Sequence, residues 1–442
     1  MKFIYSLYLL LLFPSLLLSQ NSIKATFSPA EDYRWAILYE NSPSGNIYVA
    51  QGKIEDGKLE FILDSTKTEG VYKLVYAAPQ DEYNFDIIYN GKENIELSFA
   101  KETGVTFQQS SGNLLLNSYL SNMSNIGKEI EAFYLQNRTD AQEAISLFKR
   151  QLALQNQYEE ESKNSLANHF IRANKPYIPT SYENKETYLN NLTVNYFNSI
   201  DFKDTVLQSS NFLLERSLAY IAGVSHKGMD KEASNNTNID TIAKLINTTD
   251  PYFQKYFLDK LWQKLVNYNL KDLANFLATT HLIPLAEELK DSYLVIKLTQ
   301  FKNLSIGNVA PEIEWNIEDN GIQQQHKLSE LAISENYILI FWSSSCSHCL
   351  EQLPKLKSLV QTLDSTEYKV IAIGLEDNVI KWENEILKYP EFTHIIKLGK
   401  WENEVVKTYG LTSTPTYFVL DKDKKFIAKP ENLEELKDFL EK

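Results

Sequence analysis

Along the first part of the chain apolar and polar residues alternate, and the period changes twice further on. From about Lys24 to Ala100, runs such as YRWAILYE (Tyr33–Glu40), NIYVAQGKI (Asn46–Ile54), KLEFIL (Lys58–Leu63), VYKLVYAA (Val71–Ala78), YNFDIIY (Tyr83–Tyr89) and NIELSF (Asn94–Phe99) are rich in Tyr, Ile, Val and Phe. Such residues suit pleated, half-buried strands. Asp56-Gly57 and Asn90-Gly91 stand between runs and supply the positive φ that two-residue hairpins need. The pattern predicts an antiparallel β-sandwich with the aromatic residues as its core. From Leu114 to about Leu304 the apolar residues recur at three- and four-residue spacing, the mark of amphipathic helices. Asp250-Pro251 reads as a helix start, with Pro in the first turn. The polar stretch Ser225–Asp240 reads as a surface loop, and no fixed-period repeat supports a solenoid.

From Ser305 onward strands and helices alternate. The strand Tyr337–Trp342 leads to a helix from about Ser347 to Leu363, and Tyr368–Leu375 leads to a helix near Val379–Lys388. THIIKL, the helix ENEVVKTYG, the hairpin TYFVLDKDKKFIAK and a last helix follow. Consecutive β-α-β units imply a parallel core, here closed by an antiparallel hairpin under the final helix. The expected fold class is therefore multidomain: an N-terminal antiparallel β-sandwich at 21–110, a middle α-helical domain at 111–303, and a C-terminal α/β domain of thioredoxin-like order at 304–442.

Residues 1–20 change the picture of where the chain works. One early cation, Lys2, precedes a Leu-rich run broken by Pro14, and small or polar residues follow. This reads as a signal peptide cleaved near Ser19 or Gln20, the rival being an uncleaved anchor. No later segment is apolar enough to span a bilayer, so the expectation is an exported, periplasmic protein. A net charge of −14 without a Lys/Arg run argues against nucleic acid as partner.

The chain holds 2 cysteines, Cys346 and Cys349, in FWSSSCSHC. A zinc half-site would need further ligands at sensible spacing, which His326 and His394 do not provide; His169, His226 and His281 also stand apart. A disulfide closing so short a loop removes little chain entropy, so a structural staple is a weak reading. Redox chemistry fits better. Cys346 lies where an apolar strand ends and a helix begins, with Ser343 to Ser345 available as N-cap. Its sulfur there meets unpaired N–H groups, which favour the thiolate. Cys349, one turn on, is placed to resolve a mixed disulfide. His348 between them would stabilise the thiolate further if charged. Pro415, just before a strand, makes sense if its peptide bond is cis and turns the chain toward a functional surface.

Gly307 to Pro311, FWSSSCSHC followed by Leu353-Pro354, and Ser413 to Thr416 resemble the exported thioredoxin-like thiol–disulfide oxidoreductases of the TlpA/ResA type, over about 135 residues. The β-rich front resembles a domain that often precedes such modules in Gram-negative bacteria. The resemblance implies nucleophilic and resolving roles for Cys346 and Cys349, which form the redox disulfide, and a cis Thr414–Pro415 bond facing them. It also implies that Thr414 and Pro415, with Trp342, meet the substrate polypeptide. Three features depart from the family. Ser345 stands where Trp is common, Ser347-His348 replaces Glu-Pro or Gly-Pro, and either Glu376 or Asp377 could be the assisting acid. The expected function is disulfide exchange with cysteine-containing protein substrates and a redox partner protein, as reductase or isomerase, with no cofactor and no metal. The alternative is an envelope binding protein whose β and helical domains recognise a partner, with the redox domain accessory. Substrate, net direction and oligomeric state stay open.

Overall fold

The computed structural model describes residues 21–64, 66–319, 322–363 and 366–441. The expected signal peptide at 1–20 lies outside them. Two compact units divide the chain: one ends at Lys264 and the other begins at Leu265.

The first unit opens with eight strands: β1 (Asn21–Ser28), β2 (Trp35–Ser42), β3 (Gly45–Lys53), β4 (Lys58–Leu63), β5 (Gly70–Val75), β6 (Asn84–Tyr89), β7 (Ile95–Ala100) and β8 (Gly104–Gln109). They form two four-stranded sheets, β4-β1-β7-β8 and β3-β2-β5-β6. Alternation along the strands turns Ile23, Phe27, Leu38, Tyr72, Ile87 and Phe99 into one shared core. Asp56 and Gly57 both take positive φ in the tight turn from β3 to β4. Asn90-Gly91 makes no hairpin, contrary to expectation, because β6 and β7 belong to different sheets. Gly91 still takes positive φ, and the Asn90 side chain accepts the Lys92 N–H as the chain crosses over. One pairing departs from the antiparallel rule: β1 lies antiparallel to β4 but parallel to β7, with Ile23 opposite Ile95.

Eight helices follow: α1 (Ser111–Leu135), α2 (Ala141–Glu161), α3 (Ala167–Ala173), α4 (Lys185–Val194), α5 (Thr205–Gln208), α6 (Phe212–Gly223), α7 (Lys231–Ile246) and α8 (Pro251–Asn267), the last running across the division. Asp250 accepts the Tyr252 N–H at 2.9 Å and starts α8 as its sequence suggests. The loop expected over Ser225–Asp240 is in fact largely the start of α7. Asp230 caps that helix, and Ser234, Asn238, Ile239 and Ile242 recur on its buried face. Polar residues hid the period there, because buried Asn238 is satisfied by the carbonyls of Tyr220 and Val224.

The second unit begins with α9 (Lys271–Leu277), a π-helical turn, α10 (Ile283–Glu288) and α11 (Ser292–Asn303). Next comes a hairpin of β9 (Glu314–Asp319) and β10 (Ile322–Lys327), which the sequence reading did not foresee. The remaining elements are β11 (Asn336–Trp342), α12 (Ser347–Val360), β12 (Tyr368–Glu376), α13 (Val379–Ile386), β13 (Thr393–Leu398), α14 (Glu404–Thr408), β14 (Thr416–Asp421), β15 (Phe426–Ala428) and α15 (Leu433–Leu440). Their sheet has the order β13-β12-β11-β14-β15, parallel through β11 and antiparallel beyond it. The sheet is covered on both faces, which explains the continuous apolar run of β11. Leu339 and Phe341 pack on one side with Ile371, Ile373, Tyr409 and Phe418. Ile338, Ile340 and Trp342 pack on the other against Cys349, Leu353 and Leu356 of α12.

Candidate active site

The redox loop is held by a strand end, a helix start and a proline turn. β11 is fixed by neighbours on both sides, so the backbone leaving Trp342 is placed by the sheet. Ser343 and Ser344 stay buried, and the chain then enters α12. None of the three serines caps that helix. Cys346 itself is the N-cap, its sulfur accepting the Cys349 N–H at 3.2 Å. The expected capping serine is thus replaced by the thiol, which puts the helix terminus to work directly on the sulfur.

Across the gap the Thr414–Pro415 peptide is cis, and the Cys346 thiol donates to the Thr414 carbonyl at 3.5 Å. Both thiols are free, Cys346 partly exposed and Cys349 buried. Burial alone would raise the Cys346 pKa. Hydrogen bonds from the Cys349 thiol, the Thr414 side chain and the N–H groups of Cys349 and His348 outweigh it, and the pKa is lowered. Burial pushes the Cys349 thiol the other way, up to about 12. The spacing therefore yields one partly exposed sulfur whose thiolate form is favoured and one buried sulfur whose thiol form is favoured, one turn apart.

The other candidates separate clearly. His348 is exposed, and its backbone N–H is what reaches the Cys346 sulfur. Its ring lines a cavity of about 650 Å³ beside the cysteines, together with Gln352, Lys355, Pro415, Tyr417 and Leu433. Glu376, at the end of β12, is buried, and both its carboxylate oxygens are engaged by Ser344, one by the N–H and one by the hydroxyl. Asp377 is 61 % exposed and pairs with Lys400 at 2.9 Å, so it does not touch the redox loop. Trp342 corrects an expectation. It is 0 % exposed, turned by strand alternation into the layer beneath α12, and cannot meet a polypeptide at the surface. The contact of Ser344 with Glu376 was missed, as nothing in the run Ser343–Ser345 singles out one serine. Tyr417 was also missed, although a single phenol in the apolar strand after Pro415 could have drawn attention. Among the described residues no cluster of His, Cys, Asp and Glu could hold a metal ion, and no helix is long and apolar enough to cross a membrane.

Residues 335–426 match the family described as Thioredoxin-like. The chain is 27 % identical over 149 residues to the thiol-disulfide oxidoreductase ResA of Bacillus thuringiensis subsp. konkukian, covering 33 % of this chain and 82 % of the relative. It is 30 % identical over 108 residues to ResA of Bacillus cereus, covering 24 % and 61 %. Among solved structures, a domain of a possible thiol-disulfide isomerase from Cytophaga hutchinsonii is 29 % identical with a TM-score of 0.27, covering 31 % of this chain and 91 % of that one. A thioredoxin-like protein from Bacteroides caccae is 15 % identical with a TM-score of 0.32, covering 52 % and 92 %. The C-terminal domain is therefore thioredoxin-like, and it is similar to the TlpA/ResA-like thioredoxin-fold thiol–disulfide oxidoreductases.

Proposed function

We propose that this oxidoreductase is exported to the periplasm and exchanges disulfides with cysteine-containing proteins, Cys346 attacking and Cys349 resolving, as a reductase or isomerase. The observation that carries the reading is the opposite treatment of two neighbouring sulfurs. The partly exposed one is stabilised as thiolate by N–H groups and Thr414, and the buried one is held as thiol. A thiolate attacks a disulfide readily, while a protonated neighbour waits until the mixed disulfide has formed. Thr414 and Pro415 are assigned to the incoming polypeptide, since the Cys346 thiol points at the Thr414 carbonyl. Glu376 is assigned to holding the redox loop, through Ser344.

Substituting Cys346→Ser should abolish reduction of insulin disulfides while the circular dichroism spectrum is kept. Activity retained in that variant would remove the assignment. The reduction potential then gives the direction: about −270 mV favours a reductant and about −120 mV an oxidant.

A further inference from the structure

Tyr417 lies two positions past Pro415 in β14, its Cα opposite Ile340 of β11. Strand alternation turns its ring to the α12 side, into the same cluster as Trp342, Cys349 and Leu353. The residue is 2 % exposed, and its hydroxyl is buried without a hydrogen-bond partner. An orphaned hydroxyl in a core is unfavourable and asks for a reason, because Phe would fill the same space without it. The apolar cluster that Tyr417 shares with Ile340, Trp342 and Leu353 offers no acceptor, and no side chain of the cavity it also lines, Gln352 and His348 included, makes a hydrogen bond to the hydroxyl. Glu376 is already engaged by Ser344. Of the groups that act on the phenol, Cys349 is the one whose charge is felt. Burial together with that charge keeps the phenol protonated, so it is a donor and not a base.

We propose that Tyr417 is a positioning residue for the resolving step: its hydroxyl donates a hydrogen bond to the Cys349 sulfur as that sulfur becomes a thiolate. The inference rests on the exchange reading above. In the first step the Cys346 thiolate attacks a substrate disulfide. A bond from Cys346 to one substrate sulfur forms, the substrate S–S bond breaks, and the other substrate sulfur leaves as a thiolate and takes up a proton from water. In the second step Cys349 gives its proton to water and attacks the Cys346 sulfur. The mixed disulfide breaks and the second substrate sulfur departs, protonated in turn by water. Two enzyme thiols are oxidised to one disulfide and the substrate disulfide is reduced to two thiols. The second step is the difficult one, because its nucleophile must lose a proton inside an apolar layer. Once Cys346 is tied up in the mixed disulfide it is no longer an anion that can accept from the Cys349 thiol. A donor waiting on the sheet side then favours ionisation of Cys349.

The test is rapid-quench kinetics of the reduced full-length protein with oxidised glutathione, following the mixed disulfide by mass. Attack by Cys346 is the bimolecular phase and closure by Cys349 the unimolecular one. Tyr417→Phe should slow the unimolecular phase about tenfold, the size expected of one hydrogen bond to a charged group, and leave the bimolecular phase unchanged. A ring-fluorinated tyrosine at 417, a stronger donor of the same shape, should speed the unimolecular phase. Equal unimolecular rates in all three proteins would overturn the proposal, as would equal slowing of both phases, which marks a packing role. Failure of the unsubstituted protein to form the mixed disulfide would overturn the exchange reading itself, and this inference with it.

Discussion

Cys346 and Cys349 differ by one helical turn, and their surroundings push their acidities apart. Because the folded state favours the Cys346 thiolate, alkylation by iodoacetamide should persist below the ordinary thiol range of about 8.5. It should be lost only as pH falls through the lowered value. Cys349 should resist alkylation until pH approaches about 12, because its proton is held by burial. A mass-resolved alkylation profile checks both. Thr414→Val removes the hydroxyl that favours both thiolates and should move the Cys346 transition upward. The two acids give a sharper contrast. Glu376→Ala leaves two buried donors of Ser344 unmatched and should cost about 1–3 kcal/mol in urea denaturation. Asp377→Ala loses an exposed ion pair and should change stability by less than about 1 kcal/mol. The places of the cysteines and of Pro415 in the fold were legible in the sequence, because a strand-to-helix junction and a proline before a strand leave few places to go. The choice between Glu376 and Asp377 was not legible. Adjacent residues at a strand end differ in which way they face, and only the neighbouring loop decides that. Trp342 failed for the same reason, its orientation following from alternation along β11.

At the level of elements, hydrophobic period was a good guide wherever the buried face is apolar. The β11 and β12 runs, the α12 stripe and the paired helices around Phe133 and Phe148 all follow from it. It failed where polar side chains are buried with partners, as at Asn238 in α7, or where a turn dipeptide serves a crossover between sheets, as at Gly91. Close packing leaves its own mark in β12. Gly374 pairs with Trp342 across the ladder, and a Cβ there would collide with the Trp382 indole of α13. Gly374→Ala should therefore force that ring aside and lower stability by about 1–3 kcal/mol. The midpoint of thermal unfolding reads this directly. An unchanged midpoint would mean that α13 yields without strain.

The whole molecule sets these local effects in two compact units. The second has apolar layers on both faces of its sheet, drawn entirely from its own residues. Residues 265–442 expressed alone should unfold cooperatively and reduce insulin at the rate of the full chain. A fragment that fails to fold would show that the first unit is needed to complete the second. The sequence pattern separated strands, helices and mixed α/β order along the chain, but it carried no sign of the parallel β1–β7 pair. Pairing between distant segments leaves no local period to read. That pair has a consequence for how the polypeptide assembles. Although β1 comes first in the described chain, it lies inside its sheet, flanked by β4 and by a strand that starts only at Ile95. During synthesis its hydrogen-bonding edge toward β7 stays vacant until most of the sandwich has emerged, and non-local pairing of this kind is expected to slow the folding of that unit. A chaperone that grips exposed strands would find its opportunity in that interval.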